Sequence, residues 1–215
     1  MLWLMPSALA HELPERVQTR ILVEEPPKIL RVFVRVPLEA MRDFDFPTRA
    51  SGYLDIARAE PLLRDAAALW VVDEFDVFVN GEALAINPDI VVRVSLPSDR
   101  SFDAVDSATE HMTKKLKNET LLFWRQALLD IQMTYSIVPN STGTGKGGEM
   151  EPMSFSIDSR LGHLGLRTST ALTFVNRDGE AFYYDFVGSP GLVVLAPTWY
   201  QVAIEFMKRG VLHIW

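Results

Sequence analysis

Leu129-Asp130-Ile131-Gln132-Met133-Thr134-Tyr135-Ser136-Ile137 decides the fold class, because apolar and polar side chains alternate along it without a break. Successive side chains of a strand point to opposite faces, so Leu129, Ile131, Met133, Tyr135 and Ile137 are expected to be buried, with Asp130, Gln132, Thr134 and Ser136 toward solvent. A slip of one residue would bury the polar set instead, and the register is therefore strongly specified. The same period recurs upstream. Leu30, Val32, Val34 and Val36 share one face and Arg31, Phe33 and Arg35 the other, and Pro26-Pro27 separates this run from residues 17–23, as a hairpin or as neighbouring strands. Phe75, Val77 and Val79 lead into Asn80-Gly81, a pair suited to a two-residue hairpin because both positions tolerate positive φ, with residues 82–86 as the return strand. Residues 90–96 place Val92, Val94 and Leu96 opposite Val91, Arg93 and Ser95.

Downstream, Met153, Phe155 and Ile157 repeat the alternation. Residues 170–175, the turn Asn176-Arg177-Asp178-Gly179 and residues 180–187 form a further hairpin, followed by residues 192–195. Roughly eight to ten short strands punctuated by Gly, Pro and Asn predict a mainly β chain, an antiparallel β-sandwich or a barrel. Strands on both sides of residue 120 leave two stacked lobes open as a second arrangement. Helix is a minority. Residues 57–70 carry Leu62, Leu63, Ala66 and Leu69 at helical spacing, and residues 103–116 form a more polar candidate.

Composition narrows the chemistry. A formal net charge of -7 and a pI near 5.1 oppose nucleic-acid binding, which needs clustered Lys and Arg. The absence of cysteine removes disulfides, thiolate metal sites and thiol nucleophiles. Ser141-Thr142-Gly143-Thr144-Gly145-Lys146-Gly147-Gly148 departs from a phosphate-binding loop, since no Ser or Thr follows Lys146 and no helix opens after it. It is expected to be a solvated connection that binds no nucleotide. Asp73-Glu74 with Asp76, and Asp43 with Asp45, are the densest acid clusters, and alternation puts them toward solvent. No G-x-S-x-G elbow presents a serine, so no catalytic residue is nominated and no enzyme activity is expected. His111 and His163 have no second ligand at metal spacing and are expected to be plain polar and loop residues.

The ends are more informative. Met1-Leu2-Trp3-Leu4-Met5, then Pro6 and Ala8-Leu9-Ala10, has the form of the end of a signal peptide with a small-x-small cleavage site. Residues 1–10 are thus a signal remnant and residues 11–197 an exported β domain. Cleavage after Ala10 would free the amine of His11, which with its imidazole would offer two nitrogen ligands to a divalent metal such as copper(II) or nickel(II). Residues 199–215 have helical character and turn apolar after Arg209 except for His213. Periodicity alone allows an amphipathic helix packed on the domain or the start of a membrane span, which needs about 20 apolar residues. In the second case His213 is an ionisable group in an apolar run, where such groups mark ion paths.

The segment from Pro197-Thr198-Trp199-Tyr200 through Lys208-Arg209-Gly210-Val211-Leu212-His213-Ile214-Trp215 resembles the junction of HupE/UreJ-type proteins, where a Gly, a few apolar residues and a His-Ile pair open the first membrane helix. The family pattern continues as His-x5-Asp-His, of which only His213 falls within this sequence. Ala10-His11-Glu12, Arg31-Val32-Phe33-Val34-Arg35-Val36-Pro37 and residues 124–135 resemble the exported domain of longer members more loosely. The resemblance implies an inner-membrane protein with residues 11–197 periplasmic and residues 198–215 as a juxtamembrane helix. It further implies a transport or accessory role for nickel or a related divalent metal, with His213 as the first metal-handling residue. A membrane-anchored binding or interaction module without transport is the alternative, and an apolar continuation carrying Asp-His beyond codon 215 would distinguish the two.

Overall fold

A computed structural model describes residues 14–25, 28–137 and 153–196. Along the chain run β1 (Arg16–Glu24), β2 (Ile29–Pro37), α1 (Ile56–Ala67), β3 (Phe75–Val79), β4 (Glu82–Ala83), β5 (Val91–Ser95), α2 (Val105–Thr113), β6 (Leu128–Ser136), β7 (Phe155–Ser159), β8 (Arg167–Val175), β9 (Ala181–Val187) and β10 (Leu192–Val194). They build two sheets, of order β5-β6-β2-β1-β8-β9 and β10-β7-β3-β4. The chain is mainly β and sandwich-like, as the alternation predicts.

Register follows the apolar pattern. β2 pairs antiparallel with β6 from Ile29 opposite Ser136 to Pro37 opposite Leu128, which aligns Leu30, Val32, Val34 and Val36 with Tyr135, Met133, Ile131 and Leu129 on one face. All eight side chains are buried in the main core, where Val77, Val79, Phe155 and Ile157 of the smaller sheet meet them. Ile137, just past β6, is partly buried against the same core. Asn80 and Gly81 adopt φ of 51° and 85°, the left-handed pair the hairpin expectation requires, although the return strand β4 is only Glu82–Ala83 and Ile86 forms an isolated bridge to Tyr135.

The structure revises four expectations. Two lobes divided near residue 120 do not form, because β1 pairs in parallel with β8 over Arg16–Glu24 and Arg167–Val175, so strands from both halves share one sheet. The face of that sheet away from the main core is not uniformly solvated. There Leu22, Phe33, Phe102, Ala108 and Met112 make a second buried cluster under α2, which is why Ile21-Leu22-Val23 and Val32-Phe33-Val34 are buried without alternation. Leu69 is 50% exposed rather than inward, since α1 widens at its end into a π turn, Ala68–Val72, whose extra residue per turn shifts the phase and turns Val71 inward instead. Leu96, expected to share a face with Val92 and Val94, is exposed just beyond the end of β5.

Candidate functional site

One rung crosses the outer face of the larger sheet. The strand registers align Arg93 of β5, Asp130 of β6, Arg35 of β2, Arg20 of β1, Ala171 of β8 and Asp185 of β9 in sequence across it. Charged side chains thus stand in a line on a surface that α2 and residues 97–103 partly cover.

Beneath the covered part the charges form a closed network. Asp130, at 0% exposure, accepts from Arg35 Nε at 2.6 Å, from Arg35 Nη2 at 2.8 Å and lies 2.7 Å from His111 Nε2. Arg35 also donates through Nη2 to Asp99 Oδ1 at 2.9 Å and through Nη1 to the Asp99 carbonyl at 2.9 Å, and its guanidinium lies 4.1 Å over the Phe102 ring. His111 Nδ1 approaches Asp99 Oδ2 at 3.4 Å. Arg93 donates to the carbonyls of His111 and Lys114, closing the C-terminal end of α2. Partial burial opposes ionisation of Asp99, but the Ser101 hydroxyl and amide and the Arg35 guanidinium outweigh it and hold the carboxyl down at about 2. Burial pulls Arg93 below the ordinary guanidinium range against the attraction of Asp130 and Asp99. With its oxygens shared among a guanidinium, a hydroxyl and an imidazole, this cluster anchors α2 and the 97–103 segment to the sheet.

Beside the network opens a groove of about 930 Å³, floored by Gln18, Arg20, Ser169 and Asp185 and walled by Arg100 and Asp103. Arg100 reaches Asp103 at 2.8 Å and Arg20 reaches it at 2.5 Å, and these contacts, that of Arg100 foremost, pull the Asp103 carboxyl below its ordinary value. Among the described residues Asp185 has no such partner, so the groove is acidic on its β9 side and basic on its β1 side.

The residues singled out in the sequence lie elsewhere. His11, His213 and the Ser141 to Gly148 loop with Lys146 fall outside the described residues. His163 sits in a short turn, Leu161–Leu164, where its ring stacks on Trp70 at 5.2 Å and Nδ1 lies 2.7 Å from the Arg160 carbonyl. Glu74 and Asp76 are bound by Arg160 at 3.1 and 2.7 Å, and Asp43 and Asp45 are exposed. Asp130 overturns the reading that placed it in solvent, and His111, on the polar helix α2, is one of its partners. Asp130 is fully buried and His111 half-buried because the polar helix candidate folds back on the face that β6 alternation assigns to water. Arg35, a charge inside the apolar run from Val32 to Val36, is the sequence signal for this pairing, whereas Asp130 stands at an ordinary polar position of its alternating strand. Among the described residues no three His, Asp or Glu side chains are disposed to hold a metal ion, and no helix is long and apolar enough to cross a membrane. No family model matches the chain, and no curated protein matches it significantly.

Proposed function

We propose that this β-sandwich is the extracytoplasmic domain of a HupE/UreJ-type integral membrane protein with a transport or accessory role for nickel or a related divalent metal. The observation that carries the reading is the junction segment from Pro197 to Trp215, which follows β10 almost directly, so the last sandwich strand leads into an apolar run containing His213. In this reading the β domain stands outside the inner membrane and presents its groove to a ligand or partner, while His213 handles the ion with residues beyond the junction. An imidazole in hydrocarbon needs a partner or a water-filled path, and the family pattern would supply an Asp-His pair about two turns further along the helix. Lys208 and Arg209 would then lie on the outer side, against a statistical preference that a strong export signal overrides.

The open groove also favours a second reading, a membrane-anchored binding module without transport. Metal uptake by cells expressing the gene extended beyond codon 215 separates the two. Nickel accumulation above background that disappears in His213→Ala, at equal membrane protein level, supports transport. Uptake by the variant equal to wild type removes His213 from the ion path, and no uptake by wild type leaves the binding module.

A further inference from the structure

β1 and β8 run in parallel with Arg16 opposite Arg167, Gln18 opposite Ser169 and Arg20 opposite Ala171. The intervening Val17, Thr19, Thr168 and Thr170 are buried toward the main core, so these three rungs face outward. Arg16 and Arg167 are exposed, and among the described residues neither side chain makes a hydrogen bond or ion pair. Like charges directly opposite on neighbouring strands repel, and the register, continued for the length of both strands, keeps them together.

Among the described residues the acid beside this rung is the exposed Glu15, whose carbonyl accepts the Arg167 backbone N–H at 3.1 Å and whose side chain forms no ion pair with either arginine. Among the described residues Gln18 and Ser169, on the next rung, also make no side-chain hydrogen bond. Asp103 is already committed to Arg20 and Arg100. Asp185 stands on the Arg20–Ala171 rung, four residues along, which at about 3.3 Å per residue is about 13 Å away. The chain as a whole carries 28 acidic against 21 basic residues, so a rung of two guanidinia that no acid among the described residues ion-pairs is a local concentration of the opposite charge.

We propose that Arg16 and Arg167, with Gln18 and Ser169 beside them, bind an oxyanion: a phosphate or carboxylate group whose oxygens accept from both guanidinium forks. Arginine suits this task because its planar donors match two oxygens at once. The groove begins at Gln18 and Ser169, so the body of a ligand anchored here would extend over the floor toward Asp185.

The test compares the purified full chain with the double variant Arg16→Gln/Arg167→Gln in sodium phosphate and in sodium chloride of equal ionic strength. The wild-type unfolding midpoint is expected to rise in phosphate beyond the general salt effect, and calorimetric titration with phosphate to show affinity at least tenfold above that of the double variant. In chloride the variant is expected to unfold at or above the wild-type midpoint, because the repulsion is gone; Arg167→Gln alone serves if the double variant does not fold. A parallel arm uses phosphatidylglycerol against phosphatidylcholine vesicles. Response to free phosphate assigns a soluble ligand, and capture by the anionic vesicles alone, lost in the variant, assigns a lipid phosphate. Equal responses of wild type and variant, or none to either form of phosphate, would overturn the proposal.

Discussion

Asp130 is held in a fully buried position by the two Arg35 contacts and His111 Nε2, and the cost of its burial is offset only while those partners remain. Asp130→Asn leaves Arg35 buried with its charge partly uncompensated, and urea unfolding is expected to show a loss of about 3–5 kcal/mol. A loss under about 1 kcal/mol would mean that Arg35 finds water or Asp99 instead. Asp99 makes a pH-dependent contribution whose sign follows from its depressed carboxyl, near 2 when folded against an ordinary 3.8. Its stabilisation is complete above the ordinary value and is lost as pH falls from 3.8 toward 2, since the unfolded chain takes up the proton first. Unfolding followed across that window should show a flatter pH profile for Asp99→Asn than for wild type, and parallel profiles would refute the assignment. Arg35 is visible in the sequence as a charge inside an apolar strand and Asp130 as one polar position of an alternating strand, but their partnership depends on a register between distant segments that no local pattern states.

At the scale of elements, periodicity worked where one face alone is buried and failed where a second layer intervenes. The alternation of β6 gave the inward set correctly, whereas α2 on the opposite face removed Asp130 from solvent. Residues 57–70 are helical throughout, but from Ala68 the helix is a π turn, whose phase lies outside a period of 3.6. The two leucines on either side of this change test it: Leu63→Ala should cost about 2–5 kcal/mol as a buried deletion, and Leu69→Ala less than about 0.5 kcal/mol. Similar costs at both positions, measured by denaturant unfolding, would return Leu69 to the core.

For the whole molecule, the parallel pairing of β1 with β8 brings the beginning and the later part of the described chain into one sheet, which is why a reading in order of sequence suggested two lobes. The strand count and sandwich class were legible because each strand carries its own pattern, and the strand order was not, because pairing partners are chosen by packing across the core. The groove was illegible for the same reason, being assembled from β1, β8, β9 and the 97–103 segment. The functional account rests on this sandwich lying outside the membrane. Residues 1–215 contain no cysteine, so within them an introduced thiol has no competitor, and the extended gene without the substitution sets the background. Tyr183→Cys places the thiol on β9 at a position 75% exposed. The direct measurement is labelling of that variant, in the gene extended beyond codon 215, by a membrane-impermeant maleimide applied to intact spheroplasts and to lysed ones. The account predicts equal labelling in both, and labelling that appears only after lysis would contradict it.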